Sequence, residues 1–416
     1  MIRSISVLGS SSGRNAGDAA LIAGLMEAID KTFNERLLYE IPTINENFIW
    51  RSYPNKVRPI SMMPWALSIK MLGLPTLLSM MRTDLSLVFD AILFDRSLYN
   101  PVFNHMSTLR LFAPVAKKRG RKLGYYNVGV GPVNTPKGRE MLRELSEMMD
   151  FITVRDQASF DILRDIGVQN PNILLTADAA LNVTPSSPAR VDEIFRSLGL
   201  DPRGEVLGIN VSMYLDSWTA AGKKGMSRER FVAVYSQALN RVAEQLGVPI
   251  LIIGTQHDDV PLSKMIQANI TKKVRSVVCS NIEYSLYDIK GILGRVSLLF
   301  AMRLHAAILA SSEFAPVATL PHQPKVNHYM ATLGLMEHSM SFDNFSEEGV
   351  AAHILSAWEK RQQIKQRLNE VIPVLKGEAF KAAELVHAIH CGEDVGRAIE
   401  RLNGRPRATL AVVNDR

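Results

Sequence analysis

Short apolar runs alternating with helix-period segments predict an α/β protein with two doubly wound domains of parallel sheet. The pattern breaks at Thr184-Pro185-Ser186-Ser187-Pro188-Ala189, which marks the change from one domain to the next. After Glu347 only helical periodicity is left, so a helical C-terminal region follows. The 416 residues accommodate two domains at roughly 100–200 residues each. The expected limits are residues 1–184 for the first domain, 185–204 for a linker, 205–345 for the second, 346–403 for C-terminal helices and 404–416 for a frayed tail.

The first strand is Ile5-Ser6-Val7-Leu8, followed by a small-residue loop from Gly9 to Gly17 and a helix from Asp18 to about Phe33. Further strands are expected at Arg36 to Glu40, Leu87 to Phe94, Lys122 to Val128, Phe151 to Val154 and Asn172 to Leu175. Helices Lys137 to Met149 and Ala158 to Ile166 lie between the later ones. In the second half, strands Val206 to Val211, Pro249 to Ile253, Arg275 to Cys279, Ser297 to Met302 and Ala315 to Leu320 alternate with helices. Those helices are Arg228 to Leu246, Leu262 to Ile270, Leu286 to Leu293 and Leu304 to Ser311. A break is expected near Pro373, because proline lacks the N–H that a helix interior needs.

Apolar residues make up 47% and charged ones 21%, which excludes a disordered chain. Cys279 and Cys391 lie far apart and form neither a disulfide framework nor a metal-spaced cluster, so a reducing cytoplasm is expected. Met1-Ile2-Arg3-Ser4 leads straight into a strand without the apolar stretch of a secretory signal. The net charge of +7 suits anionic small molecules, anionic lipid surfaces or nucleic acid. The basic runs Lys117 to Lys122 and Lys272-Lys273 lack interleaved aromatics, so they read as solvated faces, and no nucleic-acid partner is expected. Met62 to Met81 is strongly apolar and near bilayer-spanning length, yet Pro64, Lys70, Gly73 and Pro75 interrupt it and Lys56, Arg58 and Arg82 flank it. It reads as an interfacial helix in peripheral contact with a membrane, or else as a buried element or an oligomer contact.

Chemistry concentrates where strands end and helices begin, the place where open α/β sheets bind ligands. Arg303 and His305 stand at such a junction, where the first-turn N–H groups and the helix dipole attract anions. The plain alternative is that Arg303 pairs with a structural carboxylate and His305 caps a buried group. Gly9 to Asp18 has neither the P-loop sequence nor GxGxxG, but it offers N–H groups at a helix start together with Asn15 and Asp18. Asp18 can act there as an N-cap or orient a sugar hydroxyl. Gly129-Val130-Gly131-Pro132 allows close approach of main chain to a ligand, or makes a tight turn. Arg155 and Asp178 each follow a strand.

In order, Asn15-Ala16-Gly17-Asp18, Gly129-Val130-Gly131-Pro132, Arg155-Asp156 with Ser159, Asp178-Ala179-Ala180 and Arg303-Leu304-His305-Ala306 resemble the polysaccharide pyruvyl transferase family, over roughly Ile5 to Leu335. The resemblance implies two Rossmann-like domains facing a cleft, the GT-B-like plan, with no cofactor. It implies phosphoenolpyruvate as donor and a glycan, often a lipid-linked precursor, as acceptor of a pyruvate ketal. The family's donor motif falls on Arg303, Leu304 and His305, its second arginine on Arg155, and its lysine on Lys325. Asn15 and Asp178 join these as substrate-binding candidates. Asp95-Arg96-Ser97 departs from the glycines the family often carries at that point, which bears on the acceptor.

Ketal formation needs a proton at the donor's methylene carbon, and His305 is the candidate acid, with Asp18 or Asp178 as the base toward the acceptor hydroxyl. The positive helix end disfavours an imidazolium and a bound dianion favours it, so the assignment needs the donor in place. A nucleotide-sugar glycosyltransferase and a non-catalytic glycan- or lipid-binding relative are the competing functions.

Overall fold

Both sheets are parallel in every strand pairing, so each strand is joined to its neighbour by a crossover that covers a face. The computed structural model describes residues 1–9, 11–62, 73–89, 93, 105–213 and 226–404. The chain forms two units. The first comprises Met1–Gly13, Asp18–Val183 and, among the described residues, 374–404, and the second comprises Arg14–Gly17 and Thr184–Pro373.

In the first unit the order is β1 (Ser4–Leu8), α1 (Ala16–Phe33), β2 (Leu38–Thr43), α2 (Glu46–Ser52), β3 (Val57–Ser61), α3 (Leu74–Arg82) and β4 (Leu85–Val88). Then come α4 (His105–Lys118), β5 (Lys122–Val128), α5 (Pro136–Met148), β6 (Phe151–Val154), α6 (Gln157–Asp165) and β7 (Ile173–Leu175). The sheet order is β3-β2-β1-β4-β5-β6-β7. Right-handed crossovers therefore put α1 and α2 on one face and α3 to α6 on the other. On that second face Met80, Met106, Leu142 and Leu163, one from each helix, share a core with Val88, Tyr125 and Ile152. The helices start where local chemistry stops a strand. Thr135 accepts from the Gly138 N–H at 3.0 Å with Pro136 at the first helical position, and Asp156 caps α6.

The second unit runs α7 (Pro188–Ser197), β8 (Leu207–Asn210), α8 (Arg228–Leu246), β9 (Ile250–Gly254), α9 (Val260–Ala268) and β10 (Ser276–Ser280). It continues with α10 (Leu286–Arg295), β11 (Leu298–Ala301), α11 (Leu304–Ser311), β12 (Val317–Thr319) and α12 (Pro324–Leu333). The sheet order β10-β9-β8-β11-β12 repeats that of β3 to β5 in the first sheet, with the reversal between β8 and β11. Helices α13 (Glu347–Glu359), α14 (Arg361–His390) and α15 (Val395–Asn403) close the chain. Among the described residues no helix is long and apolar enough to cross a membrane.

Several expectations are corrected. The second strand runs Leu38–Thr43 rather than from Arg36, because β1 and β3 both pair with that stretch. Strand β3 and helices α2, α4, α7 and α12 were not expected, and α7 occupies residues 188–197 within the expected linker. Helix α14 does not break at Pro373. The lost hydrogen bond costs about 3 kcal/mol, and burial of Val371, Ile372 and Leu375 beside it offsets that cost. Within Met62 to Met81, α3 is an amphipathic helix packed on the sheet, and residues 63–72 lie outside the described set. Ser10, Phe94, Asp95-Arg96-Ser97 and the tail beyond Gly404 lie outside it as well.

Two histidines of the second unit give its stability a pH dependence. His353 Nε2 lies 3.0 Å from the His338 carbonyl, and its ring centre lies 5.9 Å from that of Phe300. Burial holds both imidazoles below their ordinary value of 6.5. The folded state thus takes up fewer protons than the unfolded chain, so their contribution is complete above the unfolded value and lost as pH falls below it. Thermal unfolding followed between about pH 7 and about pH 5 should show a falling midpoint, and His353→Gln should flatten that slope.

Candidate active site

The second sheet reverses its order between β8 and β11, and a strand-order reversal is where open α/β sheets generally bind ligands. Asn210, the last residue of β8, is fully buried and fastens three strand ends. Its Oδ1 accepts from the Arg303 N–H at 3.1 Å, and its Nδ2 donates to the Ile253 carbonyl at 2.9 Å and to Thr255 Oγ1 at 3.3 Å. Its own carbonyl accepts from the Met302 N–H at 3.0 Å.

Arg303 stands at the cap position of α11 in extended conformation, and its side chain does not cap the helix. The guanidinium instead meets Asp259 through two parallel contacts, Nε to Oδ2 and Nη2 to Oδ1, the latter at 2.7 Å. Asp259 is fully buried and also accepts from the Met213 N–H at 3.0 Å. The structural carboxylate considered for Arg303 therefore exists, and it fixes the plane of the arginine fork at the strand switch. Asp259 was missed in the sequence.

The Asn15-Ala16-Gly17 turn belongs to this unit. Ala16 N–H donates to the Thr255 carbonyl at 2.8 Å, and His257 N–H and Asn281 Nδ2 donate to the Arg14 carbonyl at 2.9 and 3.2 Å. Asn15 Oδ1 accepts from the Gly17 N–H at 2.8 Å, so the capping role weighed for Asp18 falls to Asn15, and Asp18 occupies the first turn of α1. Beneath the turn is the His305 ring. A Cβ on Gly17 would come within 2.4 Å of His305 Nδ1 and 2.7 Å of its Cβ, so only glycine lets the main chain lie this close. Leu304 begins α11, and Lys325 lies in the first turn of α12. His322, also missed, is buried with Nδ1 at 2.7 Å from the Met302 carbonyl.

The first unit repeats the device with a guanidinium. The Arg155 side chain is 3% exposed, and its Nη1 donates to Asp178 Oδ2 at 2.9 Å. A Cβ on Gly129 would come within 2.4 Å of Arg155 Nη2. Asp156 Oδ1 accepts from the Ser159 N–H at 2.7 Å, and Ser159 Oγ accepts from the Val130 N–H at 2.9 Å, which pins the 129–132 main chain. Asp178 Oδ1 accepts from the Ala180 N–H at 2.9 Å, so both of its oxygens are engaged.

Removing one partner of a buried ion pair strands the other, so Asp259→Ala should lower stability by about 3–5 kcal/mol, read as a drop in the denaturant midpoint. Replacing both partners, Asp259→Leu with Arg303→Met, should recover much of that stability and leave turnover abolished. Gly17→Ala should leave a folded protein with its turnover strongly reduced, because the added methyl displaces the His305 ring. Gly129→Ala should instead lower the melting temperature through the buried Arg155 pair.

Among curated proteins, none matches the sequence. Solved structures do match in fold. One is a UDP-N-acetylglucosamine 2-epimerase of Listeria monocytogenes, described as putative, with TM-score 0.61 at 13% identity over 94% of this chain and 96% of that one. Another is Anabaena HepE in complex with UDP and glucose, with TM-score 0.60 at 13% identity over 94% and 100%. The Escherichia coli ADP-heptose LPS heptosyltransferase II follows, at 0.50 and 11% identity over 87% and 100%. These likenesses mark the fold as GT-B-like. The family model of polysaccharide pyruvyl transferase matches residues 15–324, from the Asn15 turn to the start of α12, and the chain belongs to that family.

Proposed function

We propose that this protein moves the pyruvyl group of phosphoenolpyruvate onto two hydroxyls of a glycan, or of a lipid-linked glycan precursor, as a ketal with release of phosphate. The observation that carries this reading is the head of α11, where a guanidinium held in plane by Asp259 stands two residues from an imidazole packed beneath the Asn15–Gly17 turn. Phosphoenolpyruvate presents a carboxylate and a phosphate on one small frame, and a planar, permanently charged fork suits such groups. Lys325 supports the same assignment. A cation in a helix's first turn opposes the dipole, and a bound anion relieves that opposition. The Leu304 main chain adds a helix-start N–H.

In this reading His305 delivers a proton to the methylene carbon, which leaves an oxocarbenium-like centre at the adjacent carbon. One glycan hydroxyl adds there and loses its proton to a carboxylate. The bond to the phosphate oxygen then breaks, and the second hydroxyl closes the ketal and gives up its own proton. The base is assigned to Asp18, which occupies the first turn of α1 and follows the Asn15–Gly17 turn directly in the chain. Asn15 holds that turn. Arg155, the second arginine that the resemblance implies, is buried as a pair with Asp178 against Gly129.

A second reading, transfer from a nucleotide sugar, draws on the structural likeness to Anabaena HepE, which was solved with UDP and glucose. Label followed from phosphoenolpyruvate or from a UDP-sugar into a panel of soluble and lipid-linked glycans separates the two. Pyruvyl transfer requires label from phosphoenolpyruvate and an equal yield of phosphate. At saturating phosphoenolpyruvate, His305→Ala should reduce turnover by about 10²–10⁴-fold, the range of a lost general acid. Near-normal turnover in that variant would sink the assignment.

A further inference from the structure

Helices α3 and α4 pack side by side on one face of the first sheet, and each buries one stripe against the core. The sides they turn outward are apolar. In α3, Leu74 and Leu78 are 53% and 46% exposed, and in α4, Leu111 and Val115 are 67% and 38% exposed. A spacing of four places each pair on a single helix face.

Both rows run into positive charge at the helix end. Arg82 stands one turn beyond Leu78, and exposed Lys118 and Arg119 follow Val115. The two basic ends are tied together, because Arg121 Nε donates to the Met81 carbonyl at 2.9 Å. Exposed Lys122 opens β5 beside them. The carboxylates here are engaged: Glu40 by Arg82 and Arg58, Asp150 by Lys117, and Asp84 by Arg121. The surface therefore combines aliphatic side chains with a rim of one sign. Alongside it, between α4 and α5, lies a groove of about 780 Å³ of mixed charge, with Leu111, Pro114 and Met148 on its walls together with the Arg110–Glu144 ion pair, Arg143 and Glu147.

Protein interfaces are depleted in lysine and centre on aromatic anchors. Aliphatic side chains with a Lys/Arg rim match an anionic bilayer instead, where the chains enter the acyl boundary and the cations meet headgroups. We infer that the outer side of α3 and α4 docks on an anionic membrane surface. The inference stands apart from the donor chemistry, since it uses none of the residues assigned to it.

The test is co-sedimentation of the full chain with vesicles of phosphatidylglycerol mixed into phosphatidylcholine, against phosphatidylcholine alone. Binding should need the anionic lipid and weaken with salt. Leu78→Glu with Leu111→Glu, and separately Lys118→Glu with Arg119→Glu and Lys122→Glu, should each reduce it on the order of tenfold or more. All five positions are exposed, so circular dichroism and melting should not change, and if the leucine pair unfolds the chain the charge-reversed variant decides alone. Failure of the unaltered chain to bind anionic vesicles at low salt, equal binding to both lipids, or binding indifferent to the substitutions overturns the inference. So does a dimer in sedimentation equilibrium that Leu78→Glu with Leu111→Glu dissolves, which would make this face a contact between copies. Phosphate release from phosphoenolpyruvate with a water-soluble acceptor should be the same in all variants, so failure here is distinct from failure of the pyruvyl-transfer reading.

Discussion

A buried charge has to be met, and at the second sheet's switch point two are met by each other. Asp259 lies wholly inside the protein, and Arg303 reaches it through one edge of its fork. Together they form a nearly neutral unit whose separation would leave a stranded ion. Asn210 completes the frame by holding the backbone of Arg303 against the end of β9. The direction of the guanidinium, the start of α11 and the placing of His305 two residues on all follow from this frame. In the first unit Arg155 and Asp178 are matched in the same way. Arg155, the more deeply buried of the two cations, acts through geometry, since most of its field is spent on Asp178.

Glycine supplies the second constraint. His305 packs against Gly17, and Arg155 against Gly129, at distances that any Cβ would forbid. Both glycines lie in the short motifs that carry the family resemblance, and each has a partner far away in the chain. The motifs are thus halves of contacts, in which a small residue in one segment makes room for a large one in another.

The strands that lie between neighbours were legible because both faces of a parallel sheet are covered, which leaves nearly unbroken apolar runs such as Phe151–Val154 and Leu298–Ala301. Strand β3, with Arg58 and Pro59 in a run of five, carries no such signal. Arg303 and His305 could be placed from the turn of a strand into a helix. Asp259 could not, because in Gln256-His257-Asp258-Asp259 nothing local tells which aspartate turns inward. Proline at position 373 read as a helix end because its cost is local, whereas the burial of Val371, Ile372 and Leu375 around it appears only in the folded chain.

The composition that hid β3 has a use of its own. A parallel sheet left open at its margin offers a row of backbone donors and acceptors to any extended chain. At the β3 margin Pro59 has no N–H to give, and Arg58 stands exposed beside it over Glu40. At the opposite margin β7 is only three residues long and α15 packs on it. The first sheet is thereby guarded against further strands at both margins, so copies of this protein crowded together should resist joining through the edges of that sheet.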